Sequence, residues 1–173
     1  MKILVPTSNK YAEMTIPFSE LFNRYWPGQE IYFLGYDKLP SQKLPENCQF
    51  VSLGKQEDFG TEWTTALIPY IKELPDTHFV VTLEDTVLVG EVDQKKVELL
   101  ENEITSGRAK KALLDSHLNK YAIPYTENLL QLHPQADYRT SLHPAIWEKN
   151  YFLKYLKPGY NPWDFEVKNM PGS

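Results

Sequence analysis

Cysteine is almost missing from this chain: Cys48 is the only one in 173 residues. That excludes an intrachain disulfide framework and any cluster of thiolate metal ligands. No apolar run approaches the roughly 20 residues of a membrane span. The opening Met1-Lys2-Ile3-Leu4-Val5-Pro6 is also too short an apolar run for a signal peptide. A reducing, cytoplasmic setting is the expectation. Basic runs are lacking as well, and the net charge is −5. Neither nucleic acid nor an anionic membrane surface is favoured as the main partner. A local phosphate pocket is still compatible with this balance, because it needs only one or two cations and some backbone donors. The chain has no GxxxxGK[ST] loop, no GxGxxG after its first apolar run, no HExxH and no GxSxG elbow. P-loop, dinucleotide-fingerprint, zinc-protease and serine-hydrolase chemistries therefore lack their usual signatures. Internal repeats and low-complexity segments are absent too.

What is present suffices for one core. At 42% hydrophobic, the chain is expected to form a single domain over 1–173. Its centre is Phe79-Val80-Val81-Thr82-Leu83-Glu84-Asp85-Thr86-Val87-Leu88. The first half is a continuous apolar, β-branched run, the pattern of a parallel strand buried on both faces. Glu84 and Asp85 then interrupt it. Acids at the end of a buried strand are costly unless a cation or strong donors meet them. In open α/β sheets the carboxyl edge is also where ligands bind. The simpler alternative pairs one acid with a Lys or Arg and leaves the other solvated.

Around that strand the chain reads in order. Ile3-Leu4-Val5 is a first strand, and the polar turn Pro6-Thr7-Ser8-Asn9-Lys10 follows it. The turn is either a binding segment for a base or ribose, or only a loop. Pro17 opens a helix carrying Phe18, Leu21, Phe22 and Tyr25, and Pro27-Gly28 stops it. Ile31–Gly35 and Phe50–Gly54 are the next strands. Asp37 after the second either caps a turn or accepts from a ribose or base edge. Thr61 is placed to cap a helix with Trp63, Leu67, Ile71 and Leu74 on one face, which Pro69 should kink or break. The order β-α-β-β-α-β with long connections predicts an α/β fold with a mostly parallel sheet flanked by helices.

Beyond Gly90, Asp93 should cap a helix carrying Val97, Leu100 and Ile104, closed by Ser106-Gly107. Ala112–Leu114 and Leu129–Leu132 read as strands, with a polar, irregular stretch over 115–128 between them. Tyr138–Pro144 should enter the site from another direction. Ala145-Ile146-Trp147 should start a helix that continues through Tyr151, Phe152, Tyr155 and Leu156 and ends at Pro158-Gly159. Pro162 is placed to launch a last helix. Met170-Pro171-Gly172-Ser173 shows no stop signal, which fits a truncated chain.

Several constellations can carry chemistry. On a regular strand Glu84 and Asp85 point to opposite faces, which favours Asp85 as the direct metal ligand and leaves Glu84 to orient a neighbour. Mg²⁺ or Mn²⁺ needs few protein ligands if a diphosphate supplies the rest. His143 either completes such a coordination sphere or is a satisfied, partly buried histidine. Asp164 and Glu166 diverge by about 200° on a helix, so only one can face a given pocket. Either is a candidate general base on an acceptor hydroxyl. Alternatively, both only favour the helix N-terminus electrostatically.

Taken together, Tyr25-Trp26-Pro27, the Trp63 helix, Leu83-Glu84-Asp85-Thr86, Ser141–Trp147 and Pro162-Trp163-Asp164-Phe165-Glu166 resemble small GT-A-type (Rossmann-like) glycosyltransferases, especially a compact phage-associated group. The resemblance spans nearly the whole chain. It implies a nucleotide-sugar donor, usually a UDP-sugar, and a Mn²⁺ or Mg²⁺ ion on its diphosphate. Asp85 matches the last acid of the DxD-like motif, although Leu83 stands in the place of the first. Thr7, Ser8, Lys10 and Asp37 match the base and ribose segments, with Trp63 and Glu84 alongside on the donor side. Asp85 and His143 are the implied metal ligands, and Asp164 or Glu166 the acceptor-activating acid. The donor half would occupy about 1–90 and the acceptor half about 91–173. The acceptor, a glycan or small molecule, stays open, and a virus-encoded enzyme acting in host cytoplasm is implied. The alternatives are a nucleotide-sugar binding module without turnover, and a sugar-phosphate nucleotidyltransferase, whose glycine-rich first loop is missing.

Overall fold

A few short apolar runs, buried on both faces, determine the architecture. In the computed structural model, which describes residues 1–170, six strands form one sheet in the order β3-β2-β1-β4-β8-β5. The strands are β1 (Lys2–Pro6), β2 (Glu30–Gly35), β3 (Cys48–Ser52), β4 (His78–Val81), β5 (Lys111–Leu113) and β8 (Ala145–Glu148). All run parallel except β8, which is inserted antiparallel between β4 and β5. The helices are α1 (Thr15–Tyr25), α2 (Thr64–Glu73), α3 (Gln94–Thr105), α4 (Lys149–Tyr155) and α5 (Pro162–Val167).

Both faces of the sheet are covered, as a mostly parallel sheet requires. Ile3, Val5, Val80 and Ile146 point to one face, where they meet Phe18 and Phe22 of α1 and Val97 and Ile104 of α3. Leu4, Phe79, Val81 and Trp147 point to the other, against Leu67 and Ile71 of α2, Phe152 of α4 and Phe165 of α5. Burial on both faces is why these strands read as unbroken apolar runs rather than alternating ones.

Four expectations change in detail. Ala145-Ile146-Trp147 is a strand, and the helix expected there begins only at Lys149. The run is buried on both faces and pairs with β4 and β5 at once, so sheet pairing overrides helical spacing. Glu148 then caps α4, its carboxylate accepting from the N–H groups of Asn150 and Tyr151. Pro69 does not break α2, which runs unbroken from Thr64 to Glu73 with the proline exposed. Buried Leu67 and Ile71 hold the helix across the missing N–H. Thr61 is not its cap, since the helix starts after Trp63. In the stretch expected to be irregular, β6 (Ala122–Pro124) pairs antiparallel with β7 (Leu130–Leu132) as a separate hairpin.

The remaining helix boundaries follow the sequence signals. Asp93 caps α3 through the Lys96 N–H, and Asn161 caps α5 through the Asp164 N–H, with Pro162 opening the helix. Among the described residues no helix is long and apolar enough to cross a membrane. Pro171–Ser173, part of the tail without a stop signal, lie outside the described residues.

Candidate active site at the carboxyl edge of the sheet

The strand ends bring two groups of polar side chains to one edge. The first lies over β1, β2 and β4. Strand β4 ends at Val81, earlier than its apolar run suggests, and Thr86 N–H closes a turn onto the Leu83 carbonyl. Glu84 and Asp85 therefore occupy a turn, and the strand alternation expected to separate them does not operate. Their environments separate them instead: Glu84 is 7% exposed, while Asp85 is exposed.

Burial pushes the Glu84 carboxyl up to about 7, the nearby Asp85 charge adding to the rise and Thr7 opposing it. The Thr7 hydroxyl lies on the Glu84 side, yet it is buried with no hydrogen-bond partner inside normal geometry. A buried polar atom outside normal hydrogen-bond geometry calls for an explanation such as strain, a catalytic role, or a bound water or ion. Asp37 sits further along this edge, tied by the Asn9 side-chain amide at 2.8 Å and the Gln56 N–H at 3.1 Å. These bonds, the Asn9 one foremost, hold its carboxyl below the usual range. Ser8 precedes the 3₁₀ turn Asn9–Met14, and Lys10 on that turn lies over the Tyr11 ring at 4.8 Å. Trp63, expected on the donor side, is instead in the core, 7% exposed and edge-on to Phe165 at 5.4 Å.

The second group lies over β5 and β8. A cleft of about 300 Å³ is lined by residues including His117, Tyr121, Tyr138, Ser141, His143 and Glu166. Glu166 reaches it from α5, its Oε1 accepting the Leu142 N–H at 2.5 Å. Asp164 turns away into an ion pair with Lys168 at 2.9 Å. Of the two acids in the tail, Glu166 is the one on the cleft. Lys111 lies beneath, donating to the carbonyls of Arg139 (3.0 Å) and Ser141 (2.7 Å), its Nζ 4.3 Å from the Trp147 ring centre. Part of the Lys111 residue touches solvent, but its ammonium end is enclosed, and burial lowers it to about 7 against the pull of Glu166 and Asp115.

His143 is not brought into a cluster with Asp85. Its Nδ1 lies 2.6 Å from Asp115 Oδ2, and His117 Nδ1 lies 2.8 Å from Asp115 Oδ1. The hydrogen bonds from these rings hold the Asp115 carboxyl below its ordinary value, against its partial burial. Asp115, His117 and Lys111 had not stood out in the sequence. The signal available was Asp115-Ser116-His117 directly after an expected strand, at the edge where ligands gather. A larger surface basin of about 480 Å³ on the β2–β3 loop, lined by Leu39, Pro40, Leu44 and neighbours, gathers no comparable set of acids and bases.

The two buried titrating groups give a test of this geometry. Between pH 4.5 and about 7 the folded chain keeps the Glu84 proton that the unfolded chain has released, so stability falls as pH rises. Above about 7 the folded chain holds Lys111 neutral while the unfolded chain stays charged up to 10.5, so stability rises again. Urea midpoints are expected to pass through a minimum near pH 7. Glu84→Gln should remove the acid-side fall and Lys111→Met the alkaline-side rise. Midpoints that are flat from pH 5 to 9 in the unmodified protein would contradict the burial of both groups.

The six-stranded order with one antiparallel strand next to β4 places the chain in the α/β class of the GT-A-like fold. No protein-family model matches the sequence, and no curated protein matches it either. Among solved structures it is similar to galactosyltransferase LgtC in complex with donor and acceptor sugar analogues, with a TM-score of 0.52 at 12% identity over all of this chain. An active-site mutant of LgtC matches with a TM-score of 0.52 at 13% identity over 99% of this chain. The chain spans 66% and 67% of the lengths of these two structures. At such identity the likeness establishes the fold alone.

Proposed function

We propose that this chain is a glycosyltransferase that takes a sugar from a nucleotide diphosphate sugar, UDP-linked in the first instance, and passes it to an acceptor hydroxyl. The observation that carries this reading is the pairing of two sites along one sheet edge. One is an acid pair beside the buried Thr7 hydroxyl. The other is a neighbouring cleft with a carboxylate, Glu166, on its wall. The LgtC-like fold is consistent with it.

In this reading the Pro6–Lys10 turn and the Asp37 side hold the base and ribose. The buried Thr7 hydroxyl lies on the Glu84 side and favours the ionised form of that carboxyl. Glu84 and Asp85 face the diphosphate. They fit a hard divalent cation, Mn²⁺ or Mg²⁺: Asp85 would supply a charged oxygen, and Glu84 would supply a second in its ionised form. Bound there, such an ion would neutralise charge on the diphosphate leaving group. The acceptor enters the cleft between Tyr121 and Tyr138, and Glu166 accepts the proton of its attacking hydroxyl. The Leu142 N–H fixes the direction of the Glu166 carboxylate, leaving proton transfer to a group already aimed. Tyrosine faces are well suited to carrying sugar rings.

Asp85→Asn tests the donor half. It should weaken uridine diphosphate binding in Mn²⁺ by calorimetry and have much less effect in chelator, because an amide replaces a charged ligand poorly. Equal losses in both conditions would make Asp85 a structural residue and remove the cation from this position.

A further inference from the structure

Outside the acid pair, the described residues contain one group of three side chains with converging ligand atoms: Asp115, His117 and His143. Their ligand atoms all lie within 4.8 Å of one another. Both Nδ1 atoms face the same carboxylate, at 2.8 and 2.6 Å. The two rings stack with centroids 3.3 Å apart and planes 10° apart. Face-to-face stacking is not what imidazole rings or other aromatics choose on their own. Here it follows from both rings presenting one nitrogen to one acid.

Two imidazoles and a carboxylate form a ligand set for d-block cations, and Mg²⁺ or Ca²⁺ would prefer oxygen. In a four-coordinate site, metal bonds of about 2.0–2.2 Å place ligand atoms about 3.3–3.6 Å apart, so the two contacts at 2.6 and 2.8 Å need to open by less than about 1 Å. The set is also accessible, with the three side chains 27 to 47% exposed. The ligands come from the two loops that follow β5 and precede β8, so the sheet fixes both anchors. A second observation points the same way: Ser141, one of the residues lining the same cleft, is only 2% exposed and its hydroxyl is buried without a hydrogen-bond partner.

We infer that Asp115, His117 and His143 form a binding site for a divalent d-block cation, open on its fourth side to the cleft that Glu166 lines. The site is separate from the Glu84–Asp85 pair and needs no nucleotide. Zn²⁺ binds it more tightly than Mn²⁺, following the general order of divalent affinities, and Mg²⁺ leaves it vacant. Binding exchanges the two contacts to Asp115 for three metal bonds. The rings splay from their parallel stack so that each Nδ1 lone pair faces the ion.

The test uses the metal alone, without donor. Calorimetry of the full chain with Zn²⁺ should give one equivalent bound, and Co²⁺ should develop visible d–d bands as it fills the site. X-ray absorption of the Zn²⁺ form should show two imidazoles among nitrogen and oxygen ligands. Losing even an outer-shell partner costs about 10–100-fold in metal affinity, so His143→Ala or Asp115→Asn should cost at least about 100-fold. His78→Asn, at the opposite end of β4 and bonded to Glu101, should leave affinity unchanged. Asp85→Asn should also leave it unchanged, even if the nucleotide-sugar reading fails. Absence of Zn²⁺ and Co²⁺ binding to the unmodified chain overturns the proposal whatever the variants do. A loss in Asp85→Asn equal to that in Asp115→Asn also overturns it, because the ion would then sit at the acid pair.

Discussion

Replacing Glu166 with Gln is expected to lower sugar transfer by roughly 10²–10⁴-fold while leaving donor affinity in place. The substitution keeps the shape of the side chain and an oxygen to accept the Leu142 N–H. It removes the ability to take a proton. Glu166 is singled out over Asp164 by placement: it faces the cleft, whereas Asp164 is paired with Lys168 at 2.9 Å. Asp164→Asn should therefore cost little beyond that exposed pair, worth about 0–1 kcal/mol of stability. Steady-state transfer from a UDP-sugar, with donor affinity measured separately, checks both. If both variants transfer sugar at the unaltered rate, neither acid is the base, and a mechanism that retains the anomeric configuration gains ground.

The second large effect falls on the residue between those acids. Phe165→Ala should destabilise the protein by about 3–5 kcal/mol, a large share of a typical total of about 5–15 kcal/mol. Phe165 is fully buried and makes ring contacts to Trp63, Phe152 and Trp147 at 5.4, 5.7 and 6.2 Å. Helix α5 spans only Pro162–Val167, too short to persist without an anchor. Phe165 is that anchor, so its loss should also release Glu166 from the cleft and lower transfer beyond the fraction unfolded. Trp163, on the same helix and 76% exposed, is the contrast. Trp163→Ala should stay within about 0.5 kcal/mol. Urea denaturation of the two variants decides the matter; equal, small losses would mean that α5 is not held through Phe165.

Much of the fold was legible because the strands of a sheet covered on both faces are written as short apolar runs. Ile3–Val5, Ile31–Gly35 and Phe79–Val81 could be read directly, as could the Asp93 and Pro162 helix starts. Ala145-Ile146-Trp147 could not. An apolar run of that length fits a strand or a buried helix turn equally well, and only its partners on both sides, β4 and β5, decide. The extent of β4 was overread for a related reason. Leu83 continues the apolar pattern, but the chain has already turned, which places Glu84 inside and Asp85 outside.

The candidate site was half legible. The acid pair and Glu166 stood out as charges beside apolar or aromatic stretches. The partners of His143 did not, because Asp115 and His143 are 28 residues apart and meet only when β8 inserts between β4 and β5. Trp63 failed in the opposite sense. An aromatic residue ahead of a helix suits a ligand surface or a core equally, and here its ring is enclosed by the α5 side of the fold.

The central claim is that a nucleotide diphosphate binds over the ends of β1 and β4. The most direct measurement is a uridine diphosphate titration of isotope-labelled protein with Mn²⁺, followed by amide chemical shifts. Saturable shifts are expected to concentrate at Thr7–Lys10 and Leu83–Thr86, with the amino-edge residues Asp76–His78 unmoved. Absence of shifts, or shifts confined to residues away from the carboxyl edge, would contradict it.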